Sequence, residues 1–198
     1  GKPAWMRTFA DAQTWQASRL AVLADGSVCF ATQASMNGFT LGGDTGHAEE
    51  TPLVVPSANA FAAVFSATGG FQGGAILGGN TWINSLEATA SGFVVAGGSY
   101  DSLTGIQNGS VTLIGGSGTT AWSKGVDEFA SSVLVDADGS ILAATAAGAS
   151  AYIRRLAAAD GVLLGTLRTF AAPTPYGYVE IGLLSRDPSG GGRAWVND

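Results

Sequence analysis

The sequence is poor in the residues from which most catalytic and metal sites are built. Its 198 residues include one cysteine and one histidine, and only 12% of the residues are charged. The lone Cys29 excludes a disulfide within the chain and a zinc site made of several cysteines, and its strand-like surroundings predict a packed core thiol. Any Ser-His-Asp or Cys-His arrangement would have to use His47, which lies in a glycine-rich stretch. We therefore expect a protein that is not an enzyme, with no catalytic residues, no cofactor and no bound metal.

Clustered positive charge and long hydrophobic runs are also missing. The net charge is −6, and the nine lysines and arginines are scattered singly. Nucleic-acid binding needs clustered positive charge, so we expect no nucleic-acid partner. No apolar run approaches the roughly 18 residues of a membrane span, so we expect no membrane insertion.

What the sequence does contain is glycine and a repeated pattern. Its 30 glycines punctuate short apolar segments, and the tetrapeptide at 6–9 (MRTF) returns in variant form at 167–170 (LRTF). A turn followed by a strand occurs four times, at 24–28, 90–94, 137–141 and 188–196, and two of these turns contain Asp-Gly. Asp-Gly supplies the positive φ of a tight hairpin. The pattern predicts antiparallel strands joined by short turns.

The period of the repeat predicts the architecture. Four strands in each unit of about 50 residues are typical of a β-propeller blade. Strands are predicted at 20–23, 59–65, 86–89, 110–114, 133–135, 150–156, 179–184 and 194–196. We predict an all-β, β-propeller-like repeat of about four blades with 4+4+4+3 antiparallel strands. It forms a single domain over 1–198, with units 1–70, 71–118, 119–161 and 162–198; a solenoid and a β-sandwich are the alternatives.

One unit carries a family resemblance. The segment 136–144 (DADGSILAA), followed by 150–161 (SAYIRRLAAADG), resembles the bacterial β-propeller repeats of the SBBP and delta-60 type. The first unit departs from that pattern by a long insertion, and the second lacks the Asp-Gly pair. The resemblance implies a propeller fold in an exported surface protein without a shared catalytic residue.

An aromatic residue stands at the first turn of every unit, with a polar residue two positions before it. The aromatics are Trp15, Trp82, Phe129 and Tyr176, and the polar residues are Gln13, Asn80, Asp127 and Thr174. In one interpretation each ring is a wedge packed between neighbouring blades. In the other, the four rings form a ligand-binding platform on which sugars stack. Their presence in all four units favours the packing role.

Acidic residues offer the remaining candidate chemistry. Asp136 and Asp138 resemble the start of a calcium loop, but a hairpin turn accounts for them better because later carboxylates are missing. His47 lies beside Asp44, Glu49 and Glu50, which we interpret as a solvated acidic loop rather than a metal site. Carboxylates near loops could also serve glycoside hydrolysis, although no spacing singles out a pair; these are Asp101, Asp127, Glu128 and Asp187.

Two segments are candidates for contact with a partner. The excursion Asn37 to Pro56 is found in one unit only, and we expect it to project from one rim. The last predicted strand, Ala194-Trp195-Val196, would leave an unpaired edge in the unfinished fourth blade. Natural sheets protect such edges, so we expect this one to be occupied by a strand from a protein partner or another subunit of a homo-oligomer, or by a further segment of a longer propeller chain.

These observations favour a non-enzymatic, surface-displayed recognition or structural module of a bacterial cell surface or phage virion. The first alternative is a carbohydrate-binding lectin that uses the repeated aromatics for a glycan. The second is a glycan-active enzyme that uses loop carboxylates.

Overall fold

The protein is built entirely from strands in the part of the chain that the structure describes. The computed structural model describes residues 5–7, 18–34, 37–43, 47–172, 180–186 and 192–197. These residues contain 16 strands and no helix, and hence no helix that could cross a membrane. The all-β prediction is confirmed.

The strands form four successive sheets and one added hairpin, all with antiparallel pairing. Sheet 1 has the order β1-β2-β5-β6, sheet 2 the order β7-β8-β9-β10 and sheet 3 the order β11-β12-β13-β14, while sheet 4 contains β15 and β16 and hairpin β3–β4 stands apart. The strands are β1 (Arg19–Val22), β2 (Val28–Gln33), β3 (Phe39–Leu41), β4 (Leu53–Val55), β5 (Asn59–Phe65), β6 (Phe71–Gly79), β7 (Thr81–Ala88), β8 (Gly92–Asp101), β9 (Ile106–Gly115), β10 (Thr120–Gly125), β11 (Phe129–Val135), β12 (Ile141–Ala147), β13 (Ser150–Leu156), β14 (Leu163–Ala171), β15 (Glu180–Arg186) and β16 (Gly192–Asn197).

The Asp-Gly pairs form the hairpin turns that the sequence predicts. Gly26 joins β1 to β2 with φ of 85°, and Gly139 joins β11 to β12 with φ of 84°. The preceding aspartate closes each turn by accepting a hydrogen bond from the second backbone N–H beyond it; Ser140 donates to Asp138 Oδ1 at 3.0 Å. Because this conformation is costly for residues with a Cβ, the glycine fixes the place of each turn.

The sequence units and the sheets are offset by one strand. Two strands predicted to close their units, β5 and β13, lie third in their sheets. The strand that follows each of them, β6 or β14, hydrogen bonds back to it and completes the sheet. The unit boundaries at 71, 119 and 162 therefore fall before the last strand of each four-stranded sheet.

Successive sheets adjoin through their first strands and pack face to face. Strand β1 contacts β7, β7 contacts β11, and β11 contacts β15. Side chains alternate along each strand, so every inner sheet supplies apolar residues to a core on both of its faces. Cys29 is fully buried in the core between sheets 1 and 2, which confirms the predicted packed thiol.

The excursion after β2 does not project from a rim, contrary to our expectation. Its strands β3 and β4 form a hairpin over the face of sheet 1 that sheet 2 leaves free. Phe39, Leu41 and Val55 are buried there, and the ring of Phe39 meets that of Phe61 edge-on, with centroids 5.2 Å apart. Buried and exposed residues alternate along β3, and the burial of Phe39, Leu41 and Val55 holds the hairpin on the sheet.

Candidate functional site

Two of the four repeated aromatics contact each other between sheets. The rings of Trp82 and Phe129 are stacked with centroids 6.0 Å apart, and both side chains are half-buried. The polar residues two positions earlier, Asn80 and Asp127, have φ of 50° and 46°, a conformation that Asn and Asp tolerate best. This contact is what the packing interpretation predicts. Trp15 and Tyr176 lie outside the described residues.

Sheet 4 has a buried inner face and an outer face with exposed apolar side chains. On its inner side, Ile181 and Leu184 are buried against sheet 3, together with Ala194. On its outer side, Trp195 is 62% exposed and Leu183 is 51% exposed. These two residues are register partners across β15 and β16, so they lie side by side.

Strand β16 is an open edge within the described part of the chain. Its register partners all lie in β15, from Ile181 opposite Val196 to Leu184 opposite Ala194. Sheets 1 to 3 have four strands, whereas the described residues give sheet 4 two. The predicted edge strand of Ala194, Trp195 and Val196 therefore lies where the sequence analysis expects it.

A cavity of about 410 Å³, lined by apolar side chains and by the charged residues Asp136, Arg168 and Arg193, opens beside β16. Its floor is the outer part of sheet 3, which the two strands of sheet 4 leave uncovered, and Leu184 and Ala194 of sheet 4 form one wall. Sequence patterns did not reveal it, although β14 departs from strict alternation by exposing Leu163, Leu164 and Leu167. The lining side chains are Leu134, Asp136, Leu142, Ile153, Leu167, Arg168, Phe170, Leu184, Arg193 and Ala194.

Two tryptophans bind equivalent hairpin turns of different sheets. Trp122 of β10 donates from Nε1 to the carbonyl oxygen of Ala158 at 2.9 Å, in the turn between β13 and β14. Trp5 donates to the carbonyl oxygen of Ala67 at 3.1 Å, in the turn between β5 and β6. Each ring lies against the glycine of its turn, Gly69 or Gly161. Residues 5–7 therefore have the same position relative to sheet 1 that β10, the fourth strand of sheet 2, has relative to sheet 3.

A buried ion pair links this amino-terminal segment to the hairpin β3–β4 connection. The side chains of Arg7 and Glu50 are 8% and 5% exposed, and the Arg7 guanidinium donates to Glu50 Oε1. The backbone N–H of Phe71 donates to the same oxygen at 2.6 Å. Burial opposes ionisation, but these hydrogen bonds and the charges of Arg7 and His47 together lower the pKa of Glu50 below its usual range.

Glu50 corrects the interpretation of this segment as a solvated loop. Its Oε2 is buried with no hydrogen-bond partner among the described residues, and His47 Nδ1 lies 3.6 Å from Oε1. One ligand atom from each of His47, Glu49 and Glu50 fits within 4.8 Å, which is compact enough for a metal. Arg7, however, already supplies the positive charge that compensates Glu50. A polar cavity of about 620 Å³ lies beside this carboxylate.

The carboxylates considered for glycoside hydrolysis are engaged locally where they are described. Asp127 receives two hydrogen bonds from Arg154, at 2.7 and 2.9 Å, and one from Thr145. Burial raises its pKa, but these bonds outweigh that effect and lower it. Glu128 accepts from the N–H of Gly148, and Asp101 caps the turn at Leu103. Asp187 lies outside the described residues.

The calcium-like motif is a braced hairpin turn. Asp138 accepts hydrogen bonds from the N–H and the hydroxyl of Ser140, which lower its pKa. Arg155 donates a hydrogen bond to Asp138, and its Nη2 lies 3.7 Å from Asp136 Oδ2. Through Arg155, these two carboxylates connect the turn before β12 to strand β13.

Comparison with known proteins gives no family and no activity. No protein-family model and no curated protein matches the chain. Among solved structures, it is similar to a protein of unknown function from Bacteroides caccae, with a TM-score of 0.48 and 10% identity. The alignment covers 87% of this chain and 50% of the other, so the chain spans about half the length of that structure. A function has to be argued from the residues of this chain.

Proposed function

We propose that this chain is a non-enzymatic recognition or structural module with propeller-like sheets, displayed on a bacterial cell surface or phage particle. The contacts between the first strands of successive sheets support blades arranged around a common axis. The position of Trp5 against sheet 1 supports the same arrangement, since it matches that of a fourth strand in a preceding blade. The resemblance of 136–161 to exported propeller repeats agrees with surface display.

The observation that carries the proposal is the open edge of sheet 4. Unpaired backbone groups on a strand bind another strand readily, and natural sheets cover or charge such edges. Among the described residues, this edge strand exposes the indole of Trp195 next to the exposed Leu183, and it also carries the exposed Arg193. Such a surface fits recognition of a protein partner by strand addition, in which the backbone provides affinity and side-chain pockets provide specificity.

Edge variants test this proposal. In an antiparallel strand, the N–H groups of neighbouring residues point to opposite sides of the strand. Proline removes the N–H group, so Ala194→Pro and Trp195→Pro should have different effects. One of the two variants loses a donor at the outer edge, and the other loses a donor that pairs with β15. We expect the protein to be captured by its partner, or to self-associate, as measured by light scattering after size exclusion. The variant that keeps its thermal stability should lose this association.

The control is Leu103→Ala, which truncates a side chain that is 96% exposed in the turn between β8 and β9, outside sheet 4. Association that survives both proline variants would contradict strand addition at β16.

A further inference from the structure

We infer that His47, Glu49 and Glu50 form a binding site for a divalent metal cation, and that Zn²⁺ matches its ligands best. The site lies in the connection between β3 and β4, away from sheet 4, so the inference goes beyond the proposed function and does not depend on it. It rests on the spacing of three ligand atoms, on a buried oxygen that lacks a partner and on the charge of the cluster.

One backbone turn brings the three side chains together. The N–H of Glu50 donates to the carbonyl oxygen of His47 at 3.1 Å, which closes the turn. His47 Nδ1 lies 3.6 Å from Glu50 Oε1 and 3.9 Å from Glu49 Oε1. One ligand atom from each of the three residues lies within 4.8 Å of the other two. The turn therefore gathers one imidazole and two carboxylates at one point.

These separations fit a shared cation better than direct hydrogen bonds. A hydrogen bond from nitrogen to oxygen is about 2.7–3.2 Å long, so both distances from Nδ1 are too long for one. Zinc binds nitrogen and oxygen ligands at about 2.0–2.2 Å, and ligand atoms at tetrahedral angles are then roughly 3.3–3.6 Å apart. The Glu49 side chain is 76% exposed, so a rotamer change can close the remaining gap.

The buried oxygen is an independent observation at the same place. The Glu50 side chain is 5% exposed, and its Oε2 has no hydrogen-bond partner among the described residues. A buried carboxylate oxygen without a partner is costly, which points to a bound group. A metal ion approaches an oxygen to about 2.0–2.2 Å, whereas an ammonium nitrogen stays about 2.7–2.9 Å away. A metal ion therefore fits this enclosed position better than an organic cation.

The charge of the cluster also leaves a place for a cation. Arg7 donates to Glu50 Oε1 and compensates one negative charge, while the negative charge of Glu49 remains. A histidine that ligates a metal is neutral, so the three ligands and Arg7 together carry a charge of about −1. Arg7 and the N–H of Phe71 both hold Oε1, and such outer contacts orient a carboxylate that ligates a metal.

The ligand types favour zinc over calcium. Imidazole suits zinc, whereas calcium takes six to eight oxygen ligands. Three protein ligands leave the fourth position of a tetrahedral zinc ion open. Glu49 and Glu50 also line the polar cavity of about 620 Å³, so water or an oxygen atom of a molecule in that cavity can complete the coordination.

Calorimetric titration with ZnCl₂ tests the site on the full chain after treatment with a chelator. We expect one equivalent of Zn²⁺ to bind with a Kd below about 0.1 mM. H47A and E49Q should each weaken binding at least roughly tenfold, because each removes a ligand. These two side chains are 41% and 76% exposed, so either change should leave the fold intact. The matched control is E128Q, which neutralises an exposed carboxylate on sheet 3 and should bind within about twofold of wild type.

Proton NMR gives a second readout that is specific to one residue. His47 is the one histidine of the chain, so its ring resonances need no assignment by mutation. We expect them to shift or broaden as Zn²⁺ is added, with the Kd found by calorimetry. Adding Ca²⁺ at the same concentrations should leave them unchanged.

Three results would overturn the inference. The first is an imidazole spectrum that does not change up to about 1 mM Zn²⁺. The second is equal Zn²⁺ binding by H47A, E49Q and E128Q, which would place the bound ion elsewhere. The third is tighter binding of Ca²⁺ than of Zn²⁺, which would overturn the choice of cation. All three leave strand addition at β16 standing, because the proline variants of that strand test it separately.

Discussion

The outer faces of the first and last sheets differ in whether they are covered. The face of sheet 1 that points away from sheet 2 is covered by hairpin β3–β4, and its central residue Phe61 is 1% exposed. The face of sheet 4 that points away from sheet 3 carries Trp195, which is 62% exposed. One face is covered by the chain itself, and the described residues leave the other uncovered.

This difference shows that the outer face of a sheet can be buried without a further sheet packed on it. Terminal units of repeat proteins require a cap, because each unit exposes an apolar face if it stands alone. An insertion with two three-residue strands is sufficient for sheet 1. The open face of sheet 4 is then a surface on which an equivalent cover can be supplied by another chain.

The largest expected effect is on the covered face. Phe61→Ala removes a ring that packs on Phe39 and Phe30, and we expect the free energy of unfolding to fall by roughly 3–5 kcal/mol. Val54→Ala on the same hairpin is the control, because Val54 is 67% exposed. Both are measured by denaturant unfolding. Equal costs for the two variants would show that the hairpin is not docked on sheet 1.

The next effect concerns the ion pair that anchors this cover. Arg7→Met leaves Glu50 buried without its cation, and we expect a cost of about 3 kcal/mol at pH 7. The pKa of Glu50 is lowered in the folded protein, so the stabilisation is complete above about pH 4.3 and is lost as the pH falls through the lowered pKa. The difference between wild type and variant should therefore shrink below about pH 4.

Unfolding at pH 7 and pH 3 measures this difference. Glu50→Gln combined with Arg7→Met is the matched control, because it removes the buried charge as well and should recover part of the loss. A pH-independent difference would mean that the pair does not stabilise the fold through charge.

A substitution at the contact between sheets 2 and 3 should have an intermediate effect on the free energy of unfolding. This inner contact is a reference for both outer faces. Trp82→Ala removes a half-buried ring stacked on Phe129, and we expect a cost of about 2 kcal/mol, below that of a fully buried ring. Tyr100→Ala on β8 is the exposed control. A change in melting temperature no larger than the control's would favour the sugar-binding platform.

The smallest expected effect is on the open face. Trp195→Ala should change the free energy of unfolding by no more than about 0.5 kcal/mol when the chain is alone, because the indole is mostly in water. The measurement is denaturant unfolding at low protein concentration. A cost of about 2 kcal/mol or more would mean that this face is already covered in solution, and the contrast between the two faces would disappear.

The sequence predicts the local features of this fold and misses those that depend on distant pairs. Asp138-Gly139 predicts its turn because the required φ is a property of the residues themselves. The strand 150–156 is predicted with the bounds of β13, but its place in the sheet is shifted, because a turn signal does not say where a sheet ends. The predicted strand 194–196 lies within β16, because apolar runs are a local signal.

The buried site around Glu50 is beyond such reasoning. Its partner Arg7 lies 43 residues away in the sequence, and the glycine-rich composition of the segment between β3 and β4 is typical of an exposed loop. The cavity beside β16 is missed for the same reason, since its walls come from two sheets.

The buried thiol of Cys29 is a natural probe of how often sheets 1 and 2 separate. Burial in the core between sheets 1 and 2 raises the pKa of this thiol to about 12, so the folded form presents almost no thiolate to an alkylating reagent. Reaction therefore waits for a fluctuation that separates the two sheets, and its rate measures how often this occurs. Because the chain has one cysteine, the signal comes from one place and needs no introduced label. A partner that binds far away on sheet 4 would slow this reaction only if the sheets open as a single cooperative unit.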